Sequence, residues 1–181
     1  MSLEKRFVGG NLARHLAAQG HTIAGLARTE AAVTALETRG IAPVAADLDT
    51  RRPAAIEAAL RADAVIYAAQ ADPDQESATA RELAGALAGT GKTLIFLSGS
   101  GVLMQRTAGC WSPDVFAEHD AFTPEPLAEF RKAAEDTALA AAGDGVRSMV
   151  IRPGLNWGPG DHGHPARIAP SASASTSSTS W

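Results

Sequence analysis

The sequence predicts an α/β fold with a doubly wound parallel sheet, because short β-rich runs alternate with alanine-rich helical stretches. Two further observations support that class. Glycines stand where helices should stop, at Gly20 and Gly40. The most strand-like run, Thr93-Leu94-Ile95-Phe96-Leu97-Ser98, is apolar almost throughout, as a central strand covered on both faces requires.

The elements follow in order. Residues 1–6, Met-Ser-Leu-Glu-Lys-Arg, carry too few apolar side chains for a buried parallel strand, so the first strand is expected to be missing or degenerate. A helix over 9–19 sets Leu12 and Leu16 four residues apart and closes at Gly20. A strand over 21–27 comes next. Thr29 caps a helix over 30–39 that buries Val33 and Leu36 and ends at Gly40. A strand over 41–46 leads to a helix over 53–61, where Pro53 sits in a first turn that needs no N–H from it. A strand over 63–69, a helix over 75–88 and the central strand over 93–98 follow. Residues 99–124 are rich in Gly, Ser, Pro and aromatics without steady periodicity, which predicts an irregular excursion at the strand ends where ligands bind. A helix over 126–142 and a strand over 146–151 complete the pattern. Residues 171–180 are only Ser, Ala and Thr, so a disordered tail is expected over 161–181.

Bulk properties narrow the function. At 181 residues the chain suits one core. A net charge of -4 without a basic run argues against nucleic-acid or anionic-membrane partners and leaves a small molecule as the default ligand. The single Cys110 cannot build a disulfide framework, and neither a leader pattern nor an apolar run of about 20 residues is present, so a cytoplasmic location is expected. Three local signals carry no site. Gly89-Thr90-Gly91-Lys92-Thr93 imitates a phosphate loop but follows a helix and opens a strand. Asp161-His162-Gly163-His164 has no third metal ligand nearby, and Cys110 has no histidine partner to activate it.

Four separated segments carry a likeness. Phe7-Val8-Gly9 resembles the end of a G-x-x-G-F-[IV]-G loop, and Asp47-Leu48 resembles an acidic pair ending a third strand. Tyr67-Ala68-Ala69-Gln70 resembles a fourth-strand segment lying under a cofactor, and Arg152-Pro153-Gly154-Leu155-Asn156-Trp157-Gly158-Pro159-Gly160 is close to R-P-x-x-x-Y-G-P-G. Together they resemble the extended or atypical short-chain dehydrogenase/reductase family, the group of NAD-dependent epimerases and dehydratases. The likeness implies an incomplete Rossmann-like NAD(P)-binding domain over 1–160.

On that likeness, the cofactor-binding candidates are Phe7, Val8, Gly9, Arg28, Asp47, Leu48, Ala68, Ala69, Gln70, Pro153, Gly154 and Leu155. Gly9 at a helix N-terminus lets the backbone approach a phosphate, and is otherwise a packing glycine. Arg28 stands where an acid would grip the ribose 2′-OH of NAD; an arginine there accepts the 2′-phosphate of NADP, which favours NADP unless Arg28 is simply solvated. Asp47 is placed to accept the adenine amino group, or to cap a turn. Ala68 and Ala69 are small enough for a cofactor to lie against the sheet edge.

The resemblance also implies a catalytic tyrosine and lysine four apart on one helix, with a serine holding the substrate oxygen. That pair is not encoded: Tyr67 is the sole tyrosine, and four residues before Lys132 stands Ala128, or Leu127 if Arg131 takes the lysine's place. Lys132 could still reach a ribose hydroxyl, and either Ser98 or Ser100 could face the substrate. Three functions therefore stand: an NAD(P)-binding oxidoreductase or epimerase-like protein acting on an unidentified small molecule, a non-catalytic NAD(P) sensor, and an inactive truncated gene product. A homodimer through the helices over 75–88 and 126–142 is a further expectation.

Overall fold

The computed structural model describes residues 7–69, 71–118 and 120–154. Helices and parallel strands alternate through them: α1 (Phe7–Ala18), β1 (Ala24–Ala27), α2 (Glu30–Glu37), β2 (Ala42–Ala45), α3 (Arg52–Arg61), β3 (Ala64–Tyr67), α4 (Pro73–Leu87), β4 (Thr93–Leu97), α5 (Glu129–Ala140) and β5 (Arg147–Ile151). The excursion between β4 and α5 is irregular apart from short 3-10 turns at Ser100–Leu103 and Pro126–Ala128.

Local chemistry explains the boundaries. Thr29 accepts a hydrogen bond from the Ala32 N–H at the start of α2, as its residue type predicts. Asp72 does the same for Gln75, with Pro73 in the first turn, so α4 begins two residues before the expected start at 75. Gly20 at φ 89° and Gly40 at φ 70° turn the chain out of α1 and α2 in the left-handed region that favours glycine.

Phe7, Val8 and Gly9, expected as the end of a loop, form the first turn of α1 instead. Each residue added to a helix end contributes another ladder bond once the helix exists, and the backward extension follows from that. The strands are shorter than expected: residues 21–23, 63 and 68–69 lie outside them.

The sheet is divided. β1 pairs with β2 in parallel, Ala24 opposite Ala42 through Ala27 opposite Ala45. β3, β4 and β5 form a second parallel sheet with Ile66, Ile95 and Met149 in register. Among the described residues no strand joins β1 to β3, the place a doubly wound sheet gives its first strand. The apolar interior divides likewise. Phe96, Leu94, Tyr67, Leu83 and Leu87 anchor a large core under β3–β5, whereas Ala27, Leu36 and Ile41 form a small one under β1–β2. Leu48 and Ile56, from the β2–α3 loop and α3, pack onto the larger core and tie the halves together.

No helix among the described residues is long and apolar enough to cross a membrane. Gln70, Leu155, the Asp161-His162-Gly163-His164 segment, the first six residues and the expected tail over 161–181 lie outside the described residues.

Candidate functional site at the strand ends

The candidate residues gather because they follow the carboxyl ends of parallel strands. Arg28 comes directly after β1, Asp47 and Leu48 follow β2, Ala68 and Ala69 follow β3, Ser98 follows β4, and Pro153 and Gly154 follow β5. The two sheets present these ends on the same side. α1 returns to β1 through a short turn, which sets its N-terminus level with the end of β1. Gly9, in that first helical turn, lies against Ala68 just past β3, so close that a Cβ on Gly9 would come 3.3 Å from the Ala68 Cβ. Gly9 is thus a close-approach glycine between α1 and the segment that follows β3. Val8 beside it is partly buried.

Each candidate has its own surroundings. Arg28 is well exposed, with Nη2 3.3 Å from Asp49 Oδ2. Its carbonyl oxygen accepts a hydrogen bond from Arg51, so two guanidinium groups crowd this corner of the rim. Asp47 is buried, and its own turn occupies it: Oδ1 accepts from the backbone N–H groups of Asp49, Thr50 and Arg51, and Oδ2 from Thr50 Oγ1 and Arg51 Nε. The Thr50 backbone bond, with those of Arg51 and against the effect of burial, holds its carboxyl well below the usual carboxylate range. The side chain therefore shapes the loop ahead of α3. Leu48 is partly buried, and its carbonyl oxygen accepts from Arg52 Nε at 3.0 Å.

Ala68 is partly buried and Ala69 buried, leaving a low floor beyond β3. Ser98 donates its backbone N–H to Ile151, and its buried hydroxyl has no hydrogen-bond partner among the described residues. Ser100 is exposed at the start of the 3-10 turn, its N–H bonded to the Pro153 carbonyl oxygen. Of the two serines, the structure leaves Ser98 with the unspent polar atom. Gly154 is exposed at the end of the described chain.

This geometry has a counterpart among known proteins. A family model described as NAD(P)H-binding matches residues 5–161, most of the chain. The chain belongs to this NAD(P)H-binding family. A crystal structure from Burkholderia cenocepacia J2315, described as "a putative epimerase", superposes with a TM-score of 0.63 at 24% identity over 89% of this chain. That likeness is one of fold, and the chain spans 56% of the other protein's length. No curated protein matches.

Inside the NAD(P)H-binding domain, α4 and α5 enclose two acids for which the sequence offers only a faint signal. Glu76 on α4 and Glu135 on α5 are both 0% exposed. Arg131 Nε stands 2.8 Å from Glu76 Oε1, an ion-pair contact without hydrogen-bond geometry. Arg152 grips Glu135 through Nη2 at 2.7 Å and Nε at 3.1 Å. Arg131 and Glu135 are one helical turn apart on the face that buries Ala134 and Ala138, and that spacing was the only local clue. Lys132 pairs with Asp136 and lies 5.7 Å from the centre of the Phe122 ring. Both cations, Arg131 and Lys132, are thus held by acids.

Burial pushes the Glu76 carboxyl up to about 7, opposed by Arg131 and reinforced by Glu135. Folded Glu76 binds its proton more tightly than an unfolded glutamate, whose ordinary value is 4.5. Its contribution to stability is complete below that value and is lost as the pH rises through about 7. Glu76→Gln should therefore flatten the fall in urea midpoint between about pH 5 and pH 8 relative to the parent. Equal falls in both proteins would show that Glu76 is not the titrating group.

Proposed function

We propose that this chain binds NADP(H), or NAD(H) more weakly, across the carboxyl ends of β1–β5, as an oxidoreductase or epimerase-like protein of the extended short-chain dehydrogenase/reductase type. The observation that carries this reading is the convergence of Gly9, Arg28, Ala68, Ala69 and Ser98 on one rim within the NAD(P)H-binding match. The fit is physical as well as positional. The small floor at Ala68 and Ala69 admits a flat ring, and the buried Ser98 hydroxyl lacks a partner that a bound group could provide. Arg28 is exposed and paired only across 3.3 Å with Asp49, so it can turn to a 2′-phosphate. Asp47 supports the adenine end through its loop rather than through its saturated carboxylate.

A bound nicotinamide would supply hydride transfer, and the chain's own part would be to hold it and to orient a substrate oxygen at Ser98. A second reading, a non-catalytic NAD(P) sensor, is favoured by one feature. Neither Ala128 nor Leu127 is a phenol, and Arg131 is tied to Glu76.

Fluorescence titration with NADPH and NADH tests the reading. Arg28→Ala should weaken NADPH binding by about tenfold, the worth of one charge-assisted contact, and leave NADH unchanged. If neither dinucleotide binds the parent at about 1 mM, the cofactor reading fails. Binding without turnover of any carbonyl substrate selects the sensor.

A further inference from the structure

We propose that Asp49 is a built-in competitor for the cofactor's 2′-phosphate: its carboxylate occupies Arg28 and so blunts the preference for NADP(H) over NAD(H). The inference rests on the nucleotide reading above and adds to it a residue that sets cofactor choice.

The competition follows from how two strand ends are built. β1 and β2 are adjacent and parallel, with Ala27 opposite Ala45, so the segments leaving their carboxyl ends start side by side. Arg28 comes directly after β1, and Asp49 lies in the loop between β2 and α3. Both line one cavity. Arg28 Nη2 stands 3.3 Å from Asp49 Oδ2, and the two side chains are 43% and 40% exposed. That exposure leaves the pair within reach of a ligand at the rim.

The loop holds Asp49 in place. Its backbone N–H donates to Asp47 Oδ1 at 2.9 Å, within the turn that the buried Asp47 carboxylate organises. The same carboxylate accepts from Arg51 Nε, and Arg51 Nη2 donates to the Arg28 carbonyl oxygen at 3.3 Å. Asp47 therefore fixes an acid against the Arg28 side chain and a cation against the Arg28 backbone. The charges at this corner cancel in pairs, Arg28 with Asp49 and Arg51 with Asp47. A phosphate group arriving here finds both guanidinium groups already engaged.

The consequence has a definite sign. Phosphate takes a guanidinium through parallel charge-assisted bonds and is the stronger partner, so the exchange runs toward the cofactor. It begins with a loss, because the contact between Arg28 and Asp49 must be given up first. NAD(H) presents a hydroxyl at that position and leaves the ion pair intact. Asp49 thus lowers the affinity for one dinucleotide and spares the other.

Fluorescence titrations of the full chain with NADPH and with NADH, at about 0.1 M salt where exposed charges still interact, compare the parent, Asp49→Asn, Arg28→Ala and the double variant. Asparagine keeps the shape of the side chain and the backbone bond to Asp47, and removes only the charge. Asp49→Asn should bind NADPH about three- to fivefold more tightly than the parent, the scale of one exposed ion pair, and NADH within about twofold of it. With Arg28 already replaced by alanine, the same substitution should change NADPH binding by less than about twofold, because no guanidinium is left to release. Unchanged NADPH affinity in Asp49→Asn overturns the proposal and leaves the nucleotide reading standing. An equal gain with and without Arg28 also overturns it, by showing general charge repulsion, as does an equal gain for NADH, by showing a rearranged loop. A parent that binds neither dinucleotide fails the nucleotide reading itself, and the proposal with it.

Discussion

Arg152→Met will cost about 3–5 kcal/mol of unfolding free energy, more than any surface change in this chain, because it strands a carboxylate in the interior. Glu135 is 0% exposed, and Arg152, just past the end of β5, donates to both of its carboxylate oxygens through Nε and Nη2, across 17 residues of sequence. Methionine restores much of the packing volume but no charge, so the buried Glu135 carboxylate is left without its partner. Against a typical total of about 5–15 kcal/mol, the loss would leave a small reserve. Urea denaturation near pH 7 should show a lower midpoint at unchanged slope. The double variant Arg152→Met/Glu135→Leu distinguishes the cause. It should recover most of the loss, because removing both members of a buried pair is often close to neutral, whereas removing one is not. A single variant within about 1 kcal/mol of the parent would mean that the pair contributes nothing.

Phe96→Ala should destabilise the protein by a similar amount, about 3–5 kcal/mol, through a different mechanism. Phe96 is 1% exposed on β4, between β3 and β5, and its ring stacks on Tyr67 with centroids 4.9 Å apart and planes within 4°. Truncation removes that stack and leaves a cavity in the larger core, which cannot collapse because strands pair on both sides. Phe96→Leu, which keeps more of the volume, should cost clearly less. Thermal unfolding of the three proteins checks the order. If Ala and Leu are equally destabilising, cavity size does not set the cost at this position.

These two sites show where sequence reasoning ends. The caps at Thr29 and the stops at Gly20 and Gly40 are legible because each depends on a residue and its immediate neighbours. The central place of β4 is legible because a strand buried on both faces must be apolar on both. The gathering of Arg28, Asp47 and Ser98 on one rim followed from strand order alone, since parallel strands all end on the same side. Asp47 was visible as a polar residue after a strand, but not that five donors from its own turn would occupy its carboxylate. Arg131 could stand for a lysine on paper; only Glu76, 55 positions earlier, makes it part of an ion pair.

Taken alone, the sequence determined the alternation of helix and strand, the parallel sheet and the carboxyl-end rim, because periodicity, capping and residue identity are local properties. Tertiary structure decided the division into two sheets and the partners of Glu76, Glu135, Arg131 and Arg152. Those depend on which distant surfaces meet, and a buried charge acquires its meaning only when the chain has brought its neighbours beside it.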